Sequence, residues 1–167
     1  MKLSVIDVVE GTSVDGPGLR TSIYLAGCQH HCKGCHNPQS WDVNAGKPTE
    51  IEELLAIVKE NDFNVTFSGG DPFFQAEAAA ELARRIRDEL GKTVWCYTGY
   101  RWEEVANSPR FAPLLRNIDV LVDGRFVLEK RDIGLRFRGS SNQRIICVPQ
   151  TLASGNITIW KGMQTHL

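Results

Sequence analysis

TSIYLAGCQHHCKGCHNP, residues 21–38, joins a β-branched and aromatic run to a glycine and then to a crowd of thiols and imidazoles. The run from Thr21 to Gly27 reads as a strand, so the cysteine loop hangs from that strand's C-terminal end. Three of the chain's five cysteines and three of its four histidines fall in the nine residues from Cys28 to His36. The chemistry of this sequence is therefore to be sought at the end of a strand.

Working outward, PTEIEELLAIVKE (48–60) carries Ile51, Leu54, Leu55 and Val58 at helical spacing, with Thr49 and Glu52 at the spacing of a capping box. FNVTFSGGDP (63–72) reads as a strand and a glycine turn, with Asp71 and Pro72 opening a helix from about Phe74 to Leu90 that Gly91 ends. KTVWCYTGY (92–100) is a third strand and turn, RWEEVANS (101–108) a short helix, and NIDVLVDGRF (117–126) a fourth strand with a turn at Asp123 and Gly124. Beyond Phe126 the pattern weakens, with an apolar run at QRIICV (143–148) and a last short strand and tail expected in SGNITIWKGMQTHL (154–167). Strand and helix in alternation predict an α/β fold with parallel strands and helical crossovers, as an open doubly wound sheet or as part of a barrel. In either case the cysteine loop, SGGDP, TGY and VDGRF gather on the C-terminal edge of the sheet, where such folds build their sites.

At 167 residues the chain is expected to form a single domain over 1–167, with a tail from about residue 148 left unassigned. A formal net charge of −1 provides no overall field to gather nucleic acid or acidic lipid, so neither is expected as a partner. The opening residues lack the apolar stretch and cleavage site of a signal peptide, and no run of about eighteen apolar residues occurs, which points to the cytoplasm. In a reducing compartment, crowded cysteines serve metals or catalysis more often than disulfides.

Cys28, Cys32 and Cys35 have the spacing C-x3-C-x2-C. Three readings stay open. A structural zinc would need a fourth ligand from His30, His31 or His36, since no second cysteine pair is present. Thiol–disulfide chemistry would use Cys32 and Cys35, but Cys28 and the following Asn-Pro fit it poorly. An iron–sulfur cluster is held by thiolates, ordinarily four, and three would leave one iron open to an exogenous ligand. Cys96 and Cys147 lie within apolar strands, where cysteine serves as a small buried hydrophobe.

Taken in order, C-x3-C-x2-C after one strand and GGDP after the next resemble the radical S-adenosylmethionine superfamily. VDGPGLRTSIYLAGCQHHCKGCHNPQSW (14–41) is similar to the glycyl-radical-enzyme activases within it. SGGDP, TGY, VDGRF and RGSSNQ (138–143) narrow the resemblance to the activating proteins of anaerobic ribonucleoside-triphosphate reductases, from about Val14 to Ile146. The resemblance implies one 4Fe-4S cluster held by Cys28, Cys32 and Cys35, with S-adenosyl-L-methionine as an exchangeable ligand of the fourth iron. It implies that Gly34, Cys35 and His36 lie along the adenine and that Gly69 and Gly70 let the main chain approach the methionyl amine. Asp71 is left between orienting that amine and capping the helix after it. The implied activity is reductive cleavage of S-adenosylmethionine and hydrogen abstraction, leaving a glycyl radical on the large subunit of the reductase, with a one-electron donor such as a flavodoxin. The implied fold is a radical S-adenosylmethionine-type partial TIM barrel, since a closed one needs about 250 residues.

Other landmarks carry plainer expectations. Gly16, Pro17 and Gly18 form a turn or a partner contact, and His30 and His31 are expected in solvent. Thr98, Gly99 and Tyr100 are candidates to line the pocket, with a strand-to-helix turn sufficient to explain Gly99. Arg131, Arg136, Arg138 and Arg144 form a candidate docking surface, with a solvated basic loop as the alternative. Rival functions are a pyruvate formate-lyase activase, an enzyme like 7-carboxy-7-deazaguanine synthase, and a non-enzymatic zinc-stapled interaction module.

Overall fold

In the computed structural model, which describes residues 1–162, the strand that leads into the cysteine loop is the second of the sheet. Strand β1 (Lys2–Thr12) precedes it and pairs antiparallel with β2 (Arg20–Leu25). Only Leu3 and Val5 of β1 are buried, so its apolar alternation is too short to stand out in the sequence. The rest of the strand is held by its backbone ladder. A short strand β3 (Lys47–Glu50) pairs antiparallel with the other side of β1, and Thr49 lies within it. This corrects the capping-box expectation. The Thr49 hydroxyl donates to the Lys47 carbonyl at 2.9 Å, and α1 (Ile51–Asn61) follows Glu50 without a side-chain cap.

The centre of the sheet is parallel. Strands β2, β4 (Asn64–Gly69), β5 (Val94–Tyr97) and β6 (Val120–Asp123) run side by side in that order. Antiparallel β7 (Arg144–Cys147) closes the far edge, giving the order β3-β1-β2-β4-β5-β6-β7. The fold is thus mixed α/β with parallel strands in an open sheet.

Pro72–Gln75 form a 3-10 turn that Asp71 caps by accepting from the Phe73 N–H at 3.0 Å. Helix α2 (Ala76–Leu90) continues from it and ends on Gly91 in the left-handed conformation, as the sequence predicts. Helices α3 (Trp102–Ala106), α4 (Ala112–Arg116) and α5 (Val148–Ser154) complete the set, and the last two were not foreseen. Leu54, Leu82, Ile86, Val105, Leu114 and Val148 from the five helices pack with Leu25, Phe67, Val94 and Leu121 of the sheet in one apolar cluster. All the helices therefore lie on one face. That excludes the doubly wound alternative, which needs helices on both.

Parallel strands need cover on both faces. On the opposite face Trp95, Val120 and Val122 are covered by Phe137 and Trp160, with Trp95 and Trp160 edge to face at 5.1 Å. The last strand expected from SGNITIW reduces to one bridge between Ile146 and Ile159, supported by the Trp160 N–H donating to the Ile145 carbonyl at 2.8 Å. The end of the expected tail, residues 163–167, lies outside the described residues. Among the described residues no helix is long and apolar enough to cross a membrane.

Candidate functional site

Parallel pairing of β2, β4, β5 and β6 sets the four segments that follow them on one edge. The cysteine loop, the Ser68–Gly70 turn, Thr98–Gly99 and Gly124–Phe126 meet there around an open cavity of about 190 Å³. Cys28, Cys32 and Cys35 all line it, and none is in a disulfide. His36, Gly69 and Gly70 line it as well, together with Thr98 and Gly99. Gly34 is not a lining residue. It takes a left-handed φ of 80° within the loop, with Leu128 and Phe126 against it.

The loop is fixed at its ends by backbone bonds. Gly27 N–H donates to the Ser40 carbonyl at 2.8 Å and Cys28 N–H to the Trp41 carbonyl at 3.1 Å, so the residues between must bulge outward. Cys35 N–H donates back to the Cys32 carbonyl at 3.1 Å, closing a tight turn between those two cysteines. His31 is exposed and stacks on Trp41 at 4.4 Å, and Trp41 itself lines the cavity.

Gly69 and Gly70 are needed by the fold before any ligand is considered. Gly69 has φ of 99°, and a Cβ there would lie 2.5 Å from the Leu25 amide nitrogen; at Gly70 it would lie 2.5 Å from the Gly27 carbonyl oxygen. Backbone cannot give way as a side-chain tip can, so any larger residue separates β4 from the start of the cysteine loop.

Two expectations change at His30 and Asp71. His30 is not in solvent. Its ring is 5% exposed, with Nε2 2.6 Å from Asp71 Oδ2, and it stands edge-on to Tyr100 at 4.5 Å. Asp71 is buried and also accepts from the Thr98 hydroxyl at 2.9 Å and the Gly99 N–H at 3.0 Å, besides capping Phe73. With these donors on it, the Asp71 carboxylate serves as a cap for the turn at Phe73 and as a tie between the cysteine loop, β4 and β5.

The VDGRF and RGSSNQ segments prove to be one unit. The Gln143 side chain accepts from the Gly139 N–H at 2.8 Å and donates to the Gly124 carbonyl at 3.0 Å, while the Asn142 amide donates to the Arg125 carbonyl at 2.8 Å. Gly124, Phe126, Gly139 and Gln143 consequently share the cavity wall with Ser68 and Tyr97. The sequence had set the turns that hold or adjoin Ser68, Tyr97, Gly124 and Phe126 on this rim, whereas Gly139 and Gln143 had not been assigned to it. For Ser68, Tyr97, Gly124 and Phe126 the clue was their position at or just past strand ends. Trp41 offered no such clue. Arg144 leaves the supposed basic surface: it bonds buried Asp123 at 2.5 Å and Glu103 at 3.0 Å. Asp123 also accepts from the Trp102 N–H at 2.7 Å, which joins β6, β7 and α3 below the rim.

Among the described residues no three His, Cys, Asp or Glu side chains converge so as to hold one metal ion. Thiols are the ligands of iron–sulfur clusters, and three of them, Cys28, Cys32 and Cys35, line this one cavity. Burial raises the Cys28 and Cys32 thiols above the ordinary thiol range, so a metal group bound through these sulfurs would have to displace their protons. Cys96 and Cys147 are buried in their strands and do not line the cavity, and burial raises Cys96 far above the thiol range. Their reading as small hydrophobes stands.

A family profile described as a 4Fe-4S single cluster domain matches residues 14–146, a span that contains every rim segment. The anaerobic ribonucleoside-triphosphate reductase-activating protein of Vibrio cholerae is 40% identical over 141 residues, covering 79% of this chain and 90% of its own. The chain belongs to this family of reductase-activating proteins. The Escherichia coli K12 relative is 40% identical over 139 residues, covering 78% of this chain and 89% of its own. That of enterobacteria phage T4 is 30% identical over 139 residues, covering 79% and 86%. Among solved structures, the crystal structure of QueE from Escherichia coli is similar at a TM-score of 0.47 and 17% identity, over 59% of this chain and 53% of that one. The family match ends at Ile146, so α5 and the Trp160 segment lie outside it.

Proposed function

We propose that this protein is a radical S-adenosylmethionine activase that generates a glycyl radical on the large subunit of anaerobic ribonucleoside-triphosphate reductase. The observation that carries the reading is the meeting of Cys28, Cys32 and Cys35 with the Gly69–Gly70 turn around one cavity. The three thiolates would hold three irons of a 4Fe-4S cluster and leave the fourth for the amino and carboxylate groups of S-adenosylmethionine. When bound, these groups supply the one-electron chemistry that produces a hydrogen-abstracting radical.

The protein's own part is to hold and to shield. Gly69 and Gly70 bring main chain, with no side chain, against the methionyl end. Cys35 and His36, which line the cavity, flank the adenine, and Gly34 turns the loop behind them. Asp71 acts through the loop and not on the ligand, since its oxygens are occupied by internal donors. The open mouth suits a macromolecular substrate, because a glycine in a projecting loop can enter where a small molecule would need enclosure. We read the one-sided helical layer as the outer wall of an incomplete barrel, the whole chain forming one domain that works in the cytoplasm with a small one-electron donor such as a flavodoxin.

The test is electron paramagnetic resonance on anaerobic mixtures of the reduced protein, S-adenosylmethionine and the large reductase subunit. A doublet radical signal on the reductase, absent when its glycine is replaced, is the expected result. A signal formed only with a lyase, or none with cluster intact, overturns the assignment of partner.

A further inference from the structure

His30 has a seat built for it. A Cβ added to Gly99 would lie 2.5 Å from His30 Cδ2 and 2.8 Å from Nε2, so the glycine of the Thr98–Tyr100 turn is there to admit this ring. The turn itself would accept other residues, since Gly99 does not take a left-handed φ. Tyr100 closes one side of the seat edge to face, and the Asp71 carboxylate forms its floor. Phe73 N–H, the Thr98 hydroxyl and Gly99 N–H all donate to that carboxylate, so the remaining partner, His30 Nε2, donates as well. The ring is thus held by a buried hydrogen bond, by a ring contact and by a space that only glycine leaves.

Both ends of this contact belong to the site. His30 lies between Cys28 and Cys32 in the loop, and Asp71 directly follows Gly70, with its own N–H donating to the Gly27 carbonyl at 2.8 Å. The backbone ties at Ser40 and Trp41 reach only the loop's own far end, and His36 meets Phe126 beyond β6 at 5.3 Å. The His30 seat reaches across to β4 and β5.

We propose that His30 is a positioning residue that sets the cysteine loop, and with it the cluster, in register with the Gly69–Gly70 turn where S-adenosylmethionine binds. This rests on the cofactor reading above. It makes a demand of its own: disturbing the seat shifts the two halves of the site relative to each other without removing any cluster ligand. Outer-shell partners of this kind typically cost about 10- to 100-fold when lost.

The experiment compares full-length wild type with His30→Ala, His30→Gln, Gly99→Ala and the double variant His30→Ala/Gly99→Ala. The readouts are iron and sulfide per chain and the dissociation constant for S-adenosylmethionine, titrated through the spectrum of the reduced cluster. His30→Ala and Gly99→Ala are each expected to keep wild-type iron and sulfide and to weaken S-adenosylmethionine by about tenfold. His30→Gln restores binding, because its amide nitrogen reaches the same floor. In the double variant Gly99→Ala adds nothing, since the ring it would strike is gone. Unchanged binding in His30→Ala, iron lost in step with binding, or additive costs in the double variant would each overturn the positioning role. If wild type itself assembles no cluster or binds no S-adenosylmethionine, it is the cofactor reading that fails.

Discussion

The two faces of the central sheet are made by alternate residues of the same strands, and they are put to different uses. On the helix side Ile23, Leu25, Val65, Phe67, Val94 and Leu121 are fully buried hydrocarbon under five helices. On the other side β2 and β4 present Arg20, Ser22, Tyr24 and Thr66, and cover comes from Phe137, Trp160 and the turn around Asp15 and Pro17 with no helix over it. Arg20 is buried with Thr66, Pro17 and Val65 as its acceptors, and burial lowers its pKa to about 10, still charged at neutral pH. The Tyr24 hydroxyl donates to Asp15, and Thr66 to the Asp15 carbonyl at 2.7 Å, tying the glycine turn before β2 onto this face. One face supplies stability by packing, and the other forms a polar, thinly covered surface that leads up to the cysteine cavity through Ser68 and Tyr97. The lesson is that substitutions one residue apart along a strand should fail in different ways.

Cysteine provides the sharpest contrast. Replacing Cys28, Cys32 or Cys35 with serine is expected to abolish the cluster and all radical formation while far-ultraviolet circular dichroism stays native. Cys96→Ala and Cys147→Ala should keep iron and sulfide at wild-type levels, at the cost of a slightly lower urea midpoint. Next in size is Phe67→Ala on the helix side, expected to destabilise the fold by about 3–5 kcal/mol in urea denaturation through the cavity it leaves. Removing the Arg144 guanidinium strands the buried Asp123 carboxylate with only the Trp102 N–H, and Arg144→Ala is expected to cost about 2–3 kcal/mol by the same measurement. Trp160→Ala should cost least, about 1–2 kcal/mol for a half-buried ring, with cluster content unchanged. A loss of cluster in the Phe67 or Trp160 variants before unfolding would break the division between the faces.

The sequence made the parallel centre legible because β2, β4, β5 and β6 are short apolar or β-branched runs that each stop at a polar or glycine turn, and a turn marks a strand's end clearly. It made the cysteine loop legible because three thiols in eight residues have few uses. It hid β1 and β3, where few side chains enter the core and backbone pairing does the holding. It also hid α5, too short to show a period. The His30 seat was illegible for a different reason. His30, Asp71 and Gly99 are far apart in the chain, each has an ordinary local explanation, and only the fold brings them into one contact. Gln143 escaped on the same ground.

The central claim is a cluster held by three cysteines with one iron open to S-adenosylmethionine. It is tested most directly by the electron paramagnetic resonance spectrum of the reduced, anaerobically reconstituted protein before and after S-adenosylmethionine is added. The account predicts that the spectrum shifts on addition, alike in wild type and in the Cys96→Ala/Cys147→Ala variant, with about four irons and four sulfides per chain in both. A spectrum indifferent to S-adenosylmethionine in wild type, or one bound zinc with no sulfide, would contradict it.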